Sequence, residues 1–92
     1  MTGSHSEKHV LLIEDTPSMA LAYQAQLEGD GFIVTLAEDG AQAVAHLGQG
    51  AFPVVLLDLS LPDMDGLDLM ERFQDQLEDI SVIVITADGS IN

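Results

Sequence analysis

The chain is 92 residues long, 47% apolar and 20% charged, which fits one small globular domain with a marginal core. Two basic residues, Lys8 and Arg72, face sixteen acidic ones for a formal charge of −14, so phosphate-rich partners (nucleic acid, an anionic membrane surface) are disfavoured and a cation or a protein is the expected partner. No run approaches the roughly 20 apolar residues of a membrane span, no basic-then-apolar leader is visible, and the lack of cysteine removes disulfides, thiolate catalysis and cysteine-ligated zinc, which together point to the cytoplasm.

Residues 1–8 are polar and read as a disordered tail, with 9–92 as the folded domain. Val10-Leu11-Leu12-Ile13 is a continuous apolar run, the pattern of a strand buried on both faces. Thr16-Pro17 opens a helix with Thr16 as N-cap and Pro17 at its first position. Ala20, Tyr23 and Leu27 mark its apolar face, and Gly29 or Gly31 ends it. Phe32 to Ala37 is rich in β-branched and aromatic residues and reads as a second strand. Asp39-Gly40 leads into a helix whose Ala43, Val44 and Leu47 share a face, ending near Gly48 and Gly50. His46 falls off that face and reads as solvated. Val54-Val55-Leu56-Leu57 is a third strand closing on Asp58. A Pro62-containing loop follows, then a third amphipathic helix marked by Gly66, Leu69, Met70, Phe73 and Leu77. Val82-Ile83-Val84-Ile85 is a fourth strand, and Ala87 to Ser90 resembles a helix entry. Strands alternating with helices of this length predict right-handed crossovers and a parallel sheet covered on both faces, with the site beyond the strands' carboxyl ends.

Those ends carry the chemistry. Strand one runs into Glu14-Asp15, strand three into Asp58 and strand four into Thr86. A parallel sheet gathers them along one edge, where two unit charges ~4 Å apart repel by about 4 kcal/mol at an effective dielectric near 20. A bound cation relieves that repulsion, and hard carboxylate oxygens with open water positions suit Mg²⁺. An acid after a strand is also a common cap or turn former, and Asp15 alone supports no more than that. The joint pattern is harder to explain that way. A calcium loop fails, because aligning Gly66 to its glycine puts Leu61 and Arg72 where acids are required. A haloacid-dehalogenase-type phosphatase fails because its second aspartate is Ser60 here. His5 and His9 lack metal-ligand spacing, and Met19, Met64 and Met70 read as packing or loop contacts.

From His9 onward the sequence resembles the receiver domain of two-component response regulators. The resemblance lies in Leu12 to Asp15, Ala37 to Gly40, Leu57 to Gly66 and Ile85-Thr86-Ala87, with Asp58 followed by Pro62 and Gly66 as the most specific element. The ending from Thr86 to Ile91 is similar to receivers of the NtrC-type enhancer-binding activators, the group that includes LuxO. The resemblance implies an α/β, flavodoxin-like (CheY-like) doubly wound parallel sheet of strand order 2-1-3-4(-5), here with four strands and three helices.

The resemblance also implies a function. Asp58 is the phospho-acceptor, taking a phosphoryl group from a phosphohistidine on a sensor histidine kinase or a histidine phosphotransfer protein. Asp15, Asp58 and the backbone carbonyl of Ser60 hold Mg²⁺, with Mn²⁺ as a substitute, and Glu14 acts mainly through water. Thr86 and the Ala87 amide contact the phosphoryl oxygens. The family's fifth strand and a phosphoryl-contacting lysine have no counterpart up to Asn92; Lys8 precedes strand one and Arg72 lies along the third helix. The expectation is therefore a domain truncated after the fourth strand, phosphorylated slowly or not at all. The truncation also leaves residues 81–86 as an exposed edge strand through which copies of the chain are expected to pair. A receiver-like interaction module without phosphotransfer is the alternative.

Overall fold

The computed structural model describes residues 8–49, 52–58, 61–74 and 80–85. Seven elements alternate along the chain: β1 (His9–Ile13), α1 (Pro17–Gly29), β2 (Ile33–Ala37), α2 (Gly40–Gln49), β3 (Val54–Asp58), α3 (Gly66–Arg72) and β4 (Ser81–Ile85). The strands form one parallel sheet in the order β2-β1-β3-β4. Leu77, expected on the third helix, lies outside the described residues, as do the 1–7 tail and Gly50.

The continuous apolar runs are explained by the two covered faces. Leu11, Ile13, Val55 and Leu57 point to one side and pack with Ala43 and Leu47 of α2 and Leu69 of α3. Val10, Leu12 and Leu56 point to the other, under Tyr23 and Leu27 of α1. Alternation within each strand thus feeds two cores, and no position of β1 from Val10 to Ile13 is left for a polar residue.

One end of α1 differs from the sequence expectation, and the other bears it out. Thr16 occupies the N-cap position of α1, but its side chain makes no capping hydrogen bond. Its N–H donates instead to Glu14 Oε2 at 3.2 Å, drawing the chain back toward the end of β1. At the other end, Gly31 adopts φ +94°, its N–H donates to Glu28 O, and the Phe32 N–H donates to Leu27 O, both at 3.0 Å. That is a Schellman closure, and it explains why the helix stops where a glycine can turn left-handed. His46 is also not simply solvated. Its ring is half-buried and meets Phe52 edge-on, centroids 6.5 Å apart.

β4 is the edge strand of the sheet formed by the described residues. Val82 and Ile85 pack against opposite cores, while Ile83 is 50% and Val84 46% exposed. No helix among the described residues is long and apolar enough to cross a membrane.

Candidate functional site

β1 and β3 are neighbours at the centre of the sheet, with Ile13 paired to Leu57. One step further along each strand stand Glu14 and Asp58. The Glu14 N–H donates to Ala37 O at 3.0 Å, so the ladder with β2 continues one residue past β1 and fixes the Glu14 backbone. Asp15 follows, half-buried, in the turn that leads to α1. A carboxylate oxygen from each of Glu14, Asp15 and Asp58 lies within 4.8 Å of the other two. Glu14 is 1% and Asp58 2% exposed, the two charged side chains most deeply buried among the described residues.

The electrostatics of this cluster are unbalanced. Burial raises the Glu14 pKa above the ordinary glutamate value; the Thr16 N–H opposes that rise, and the nearby carboxylates, Asp58 before Asp15, add to it. Glu14 Oε2 has the Thr16 N–H, but Oε1 is buried without a hydrogen-bond partner among the described residues. Buried polar atoms in native proteins are nearly always satisfied, so a carboxylate oxygen with no partner among the described residues, beside two further carboxylates, fits a cation site. The donor set is entirely hard oxygen, which fits Mg²⁺ or Mn²⁺ and not a thiolate-seeking metal. Ser60, Thr86 and Ala87, the remaining residues expected at the site, lie outside the described residues.

The loop beyond Asp58 contributes a contact that the sequence reading missed. The Asp63 carboxylate accepts hydrogen bonds from the N–H groups of Gly40 (2.7 Å) and Ala41 (3.0 Å), at the start of α2. The Gly40 N–H above all, with that of Ala41, holds the Asp63 pKa below the ordinary aspartate value against the opposing effect of desolvation. Asp65 next caps α3, its side chain accepting from the Leu67 N–H at 2.9 Å. Asp63 could have been suspected only from α2: Asp39 reaches the Gln42 N–H (2.8 Å), which leaves Gly40 and Ala41 needing an acceptor from elsewhere.

Residues 10–92 match the family model described as "Response regulator receiver domain". The chain is a response regulator receiver domain. Among curated relatives it is 34% identical over 88 residues to the transcriptional regulatory protein GlrR of Escherichia coli, a stretch covering 96% of this chain and 20% of GlrR. Among solved structures, the signal receiver domain of a LuxO repressor protein from Vibrio parahaemolyticus is 32% identical with a TM-score of 0.81, over 92% of this chain and 65% of the other. A response regulator from Burkholderia pseudomallei, solved with a phosphorylated aspartic acid, a calcium ion and citrate, is 30% identical with a TM-score of 0.82, over 91% of this chain and 49% of the other. The receiver domain spans between 18% and 36% of the length of its most similar curated relatives. The expected CheY-like sheet and the kinship with LuxO-type regulators both hold. Receiver domains bind Mg²⁺ through acidic residues, and the cluster of Glu14, Asp15 and Asp58 is of that kind.

Proposed function

We propose that this receiver domain accepts a phosphoryl group on Asp58 from the phosphohistidine of a sensor histidine kinase or a histidine phosphotransfer protein. The carrying observation is the cluster of Glu14, Asp15 and Asp58, with a buried Glu14 oxygen that has no hydrogen-bond partner among the described residues. Asp15 and Asp58, with the backbone carbonyl of Ser60, hold Mg²⁺ or Mn²⁺, and Glu14 contributes mainly through water. When bound, the cation supplies the positive charge that lets an anionic nucleophile and an anionic phosphoryl group approach each other.

In the transfer, an Asp58 carboxylate oxygen attacks phosphorus and forms the O–P bond of an acyl phosphate. The P–N bond to the donor imidazole breaks, and its electron pair stays on the ring nitrogen. Thr86 donates its hydroxyl to a phosphoryl oxygen, and the Ala87 N–H donates to another. Sinking Asp58 at the end of a central strand holds the nucleophile in one orientation and limits water's access to the product. The phosphorylated aspartate of the Burkholderia pseudomallei regulator, with its calcium ion, supports this reading.

The test is incubation with acetyl phosphate and Mg²⁺, read by intact mass. A gain of one phosphoryl group that needs the cation and disappears in Asp58→Asn is the expected result. A chain that gains none and binds no cation is instead an interaction module of receiver fold. The domain acts in the cytoplasm, without contacting nucleic acid or membrane. Two copies meet through residues 81–86; the edge position of β4 and the exposure of Ile83 and Val84 support that contact.

A further inference from the structure

The segment after Asp58 is held at its far side by an unusual arrangement. The first turn of α2 exposes backbone N–H groups that no intrahelical carbonyl can take. Asp39 satisfies Gln42, Gln42 Oε1 accepts from the Glu38 N–H (3.0 Å), and the Gly40 and Ala41 donors go to the two oxygens of one carboxylate, Asp63, from 23 and 22 residues away. Met64, the next residue, lies so close over Gly40 that a Cβ there would sit 2.5 Å from its Cγ. Met64 also packs against the core formed by Ala43 and Leu69. A polar contact and an apolar one therefore fasten the same loop to the same helix turn. Only residues 59 and 60 separate Asp58 from Leu61, so the fastened loop is a short tether to the nucleophile.

We propose that Asp63 is a positioning residue, latching the 61–65 loop onto the first turn of α2 and so supporting the divalent-cation affinity of the acidic cluster. The inference rests on the reading of Glu14, Asp15 and Asp58 as the cation site. It adds a residue outside that cluster, acting through the loop that begins three residues after Asp58. The two bonds come from adjacent amides to adjacent oxygens, so the carboxylate plane is fixed and the loop cannot pivot about a single contact. The helix dipole adds attraction for the negative charge. Alanine removes both acceptors, whereas asparagine keeps one carbonyl oxygen and gives up the charge. The two variants thus grade the latch.

The experiment measures Mn²⁺ affinity by electron paramagnetic resonance for the parent chain, Asp63→Ala and Asp63→Asn, below their melting temperatures. Amide exchange of β1 and β3 is followed in parallel. Expected is a loss of about 10-fold in affinity for Asp63→Ala, the lower end of what the outer partners of metal ligands contribute, and a smaller loss for Asp63→Asn. Protection of the β1 and β3 amides stays at the parental level while that of Gly40 and Ala41 falls. Parental Mn²⁺ affinity in Asp63→Ala overturns the latch and leaves the cation site standing. An affinity loss accompanied by lost β1 and β3 protection also overturns it, because Asp63 is then a general stabiliser. A parent chain that fails to bind Mn²⁺ overturns the reading of the site and the latch with it.

Discussion

Glu14 concentrates the conflict of this site in one side chain. It is buried, it accepts the Thr16 N–H through one oxygen, and its other oxygen has no hydrogen-bond partner among the described residues. Replacing it by Gln keeps the shape and removes one of the crowded carboxyls. In chelator, Glu14→Gln is expected to melt higher than the parent, by about 1 kcal/mol of stability, the usual worth of one well-placed hydrogen bond. Added Mg²⁺ is expected to raise the melting temperature of the parent and to raise that of Glu14→Gln less, because a ligand stabilises only in proportion to its affinity for the folded state. Asp58→Asn is expected to lose most of the response. Differential scanning fluorimetry with and without Mg²⁺ reads all three. Glu14 and Asp58 were legible in the sequence because each directly follows an apolar run whose strand character is unambiguous, and Asp15 because it is the next residue after Glu14. Asp63 was not, because its partners are backbone groups more than twenty positions away and nothing in a local window points to them.

The elements differ in how far they could stand alone. α3 has only seven residues, well below the length at which a helix persists in water, so packing must hold it. Leu69, 2% exposed, is its main anchor in the core shared with α2. Leu69→Ala is expected to cost about 2–5 kcal/mol in urea unfolding, the range for a buried leucine that leaves a cavity. The first turn of α2 should show a pH signature. Asp63 has a folded pKa below its ordinary value of 3.8, so its contribution is fully present above that value and is lost as pH falls through the lower folded value. The stability difference between the parent and Asp63→Asn is therefore expected to be constant from neutral pH down to about 5 and to close in more acidic solution, as thermal melts across that range would show. The apolar faces of α1 and α2 followed from spacing alone. The Thr16 cap did not, since whether a threonine hydroxyl or a neighbouring carboxylate meets the helix end depends on where β1 places Glu14.

For the molecule as a whole, the sheet decides both the site and the exposed edge. The parallel sheet followed from the alternation of strands and helices, and its order came from the family resemblance. The parallel pairing of β1 with β3 at the centre brings acids from positions 14 and 58 together. Among the described residues β4 has one neighbour, β3, and Ile83 and Val84 are half-exposed. Ile83→Lys puts a charge on that edge, a common natural guard against strand pairing. It is expected to shift sedimentation toward the monomer at micromolar concentration and to lower the melting temperature. A parent chain that is monomeric under the same conditions removes the proposed contact. With a formal charge of −14 on each copy, association should strengthen as salt screens the repulsion.

Gly40 carries a consequence of another kind. Its missing side chain is the space that Met64 fills, and Met64 in turn helps cover the core between α2 and α3. An alanine at 40 displaces Met64 outright, and a shorter residue at 64 leaves a gap above Gly40. The two positions are therefore expected to be coupled, so that the melting temperatures of Gly40→Ala, Met64→Ala and the double variant are not additive. A glycine that looks like an ordinary turn residue is thus half of a packed pair, and its other half lies in the loop beyond Asp58.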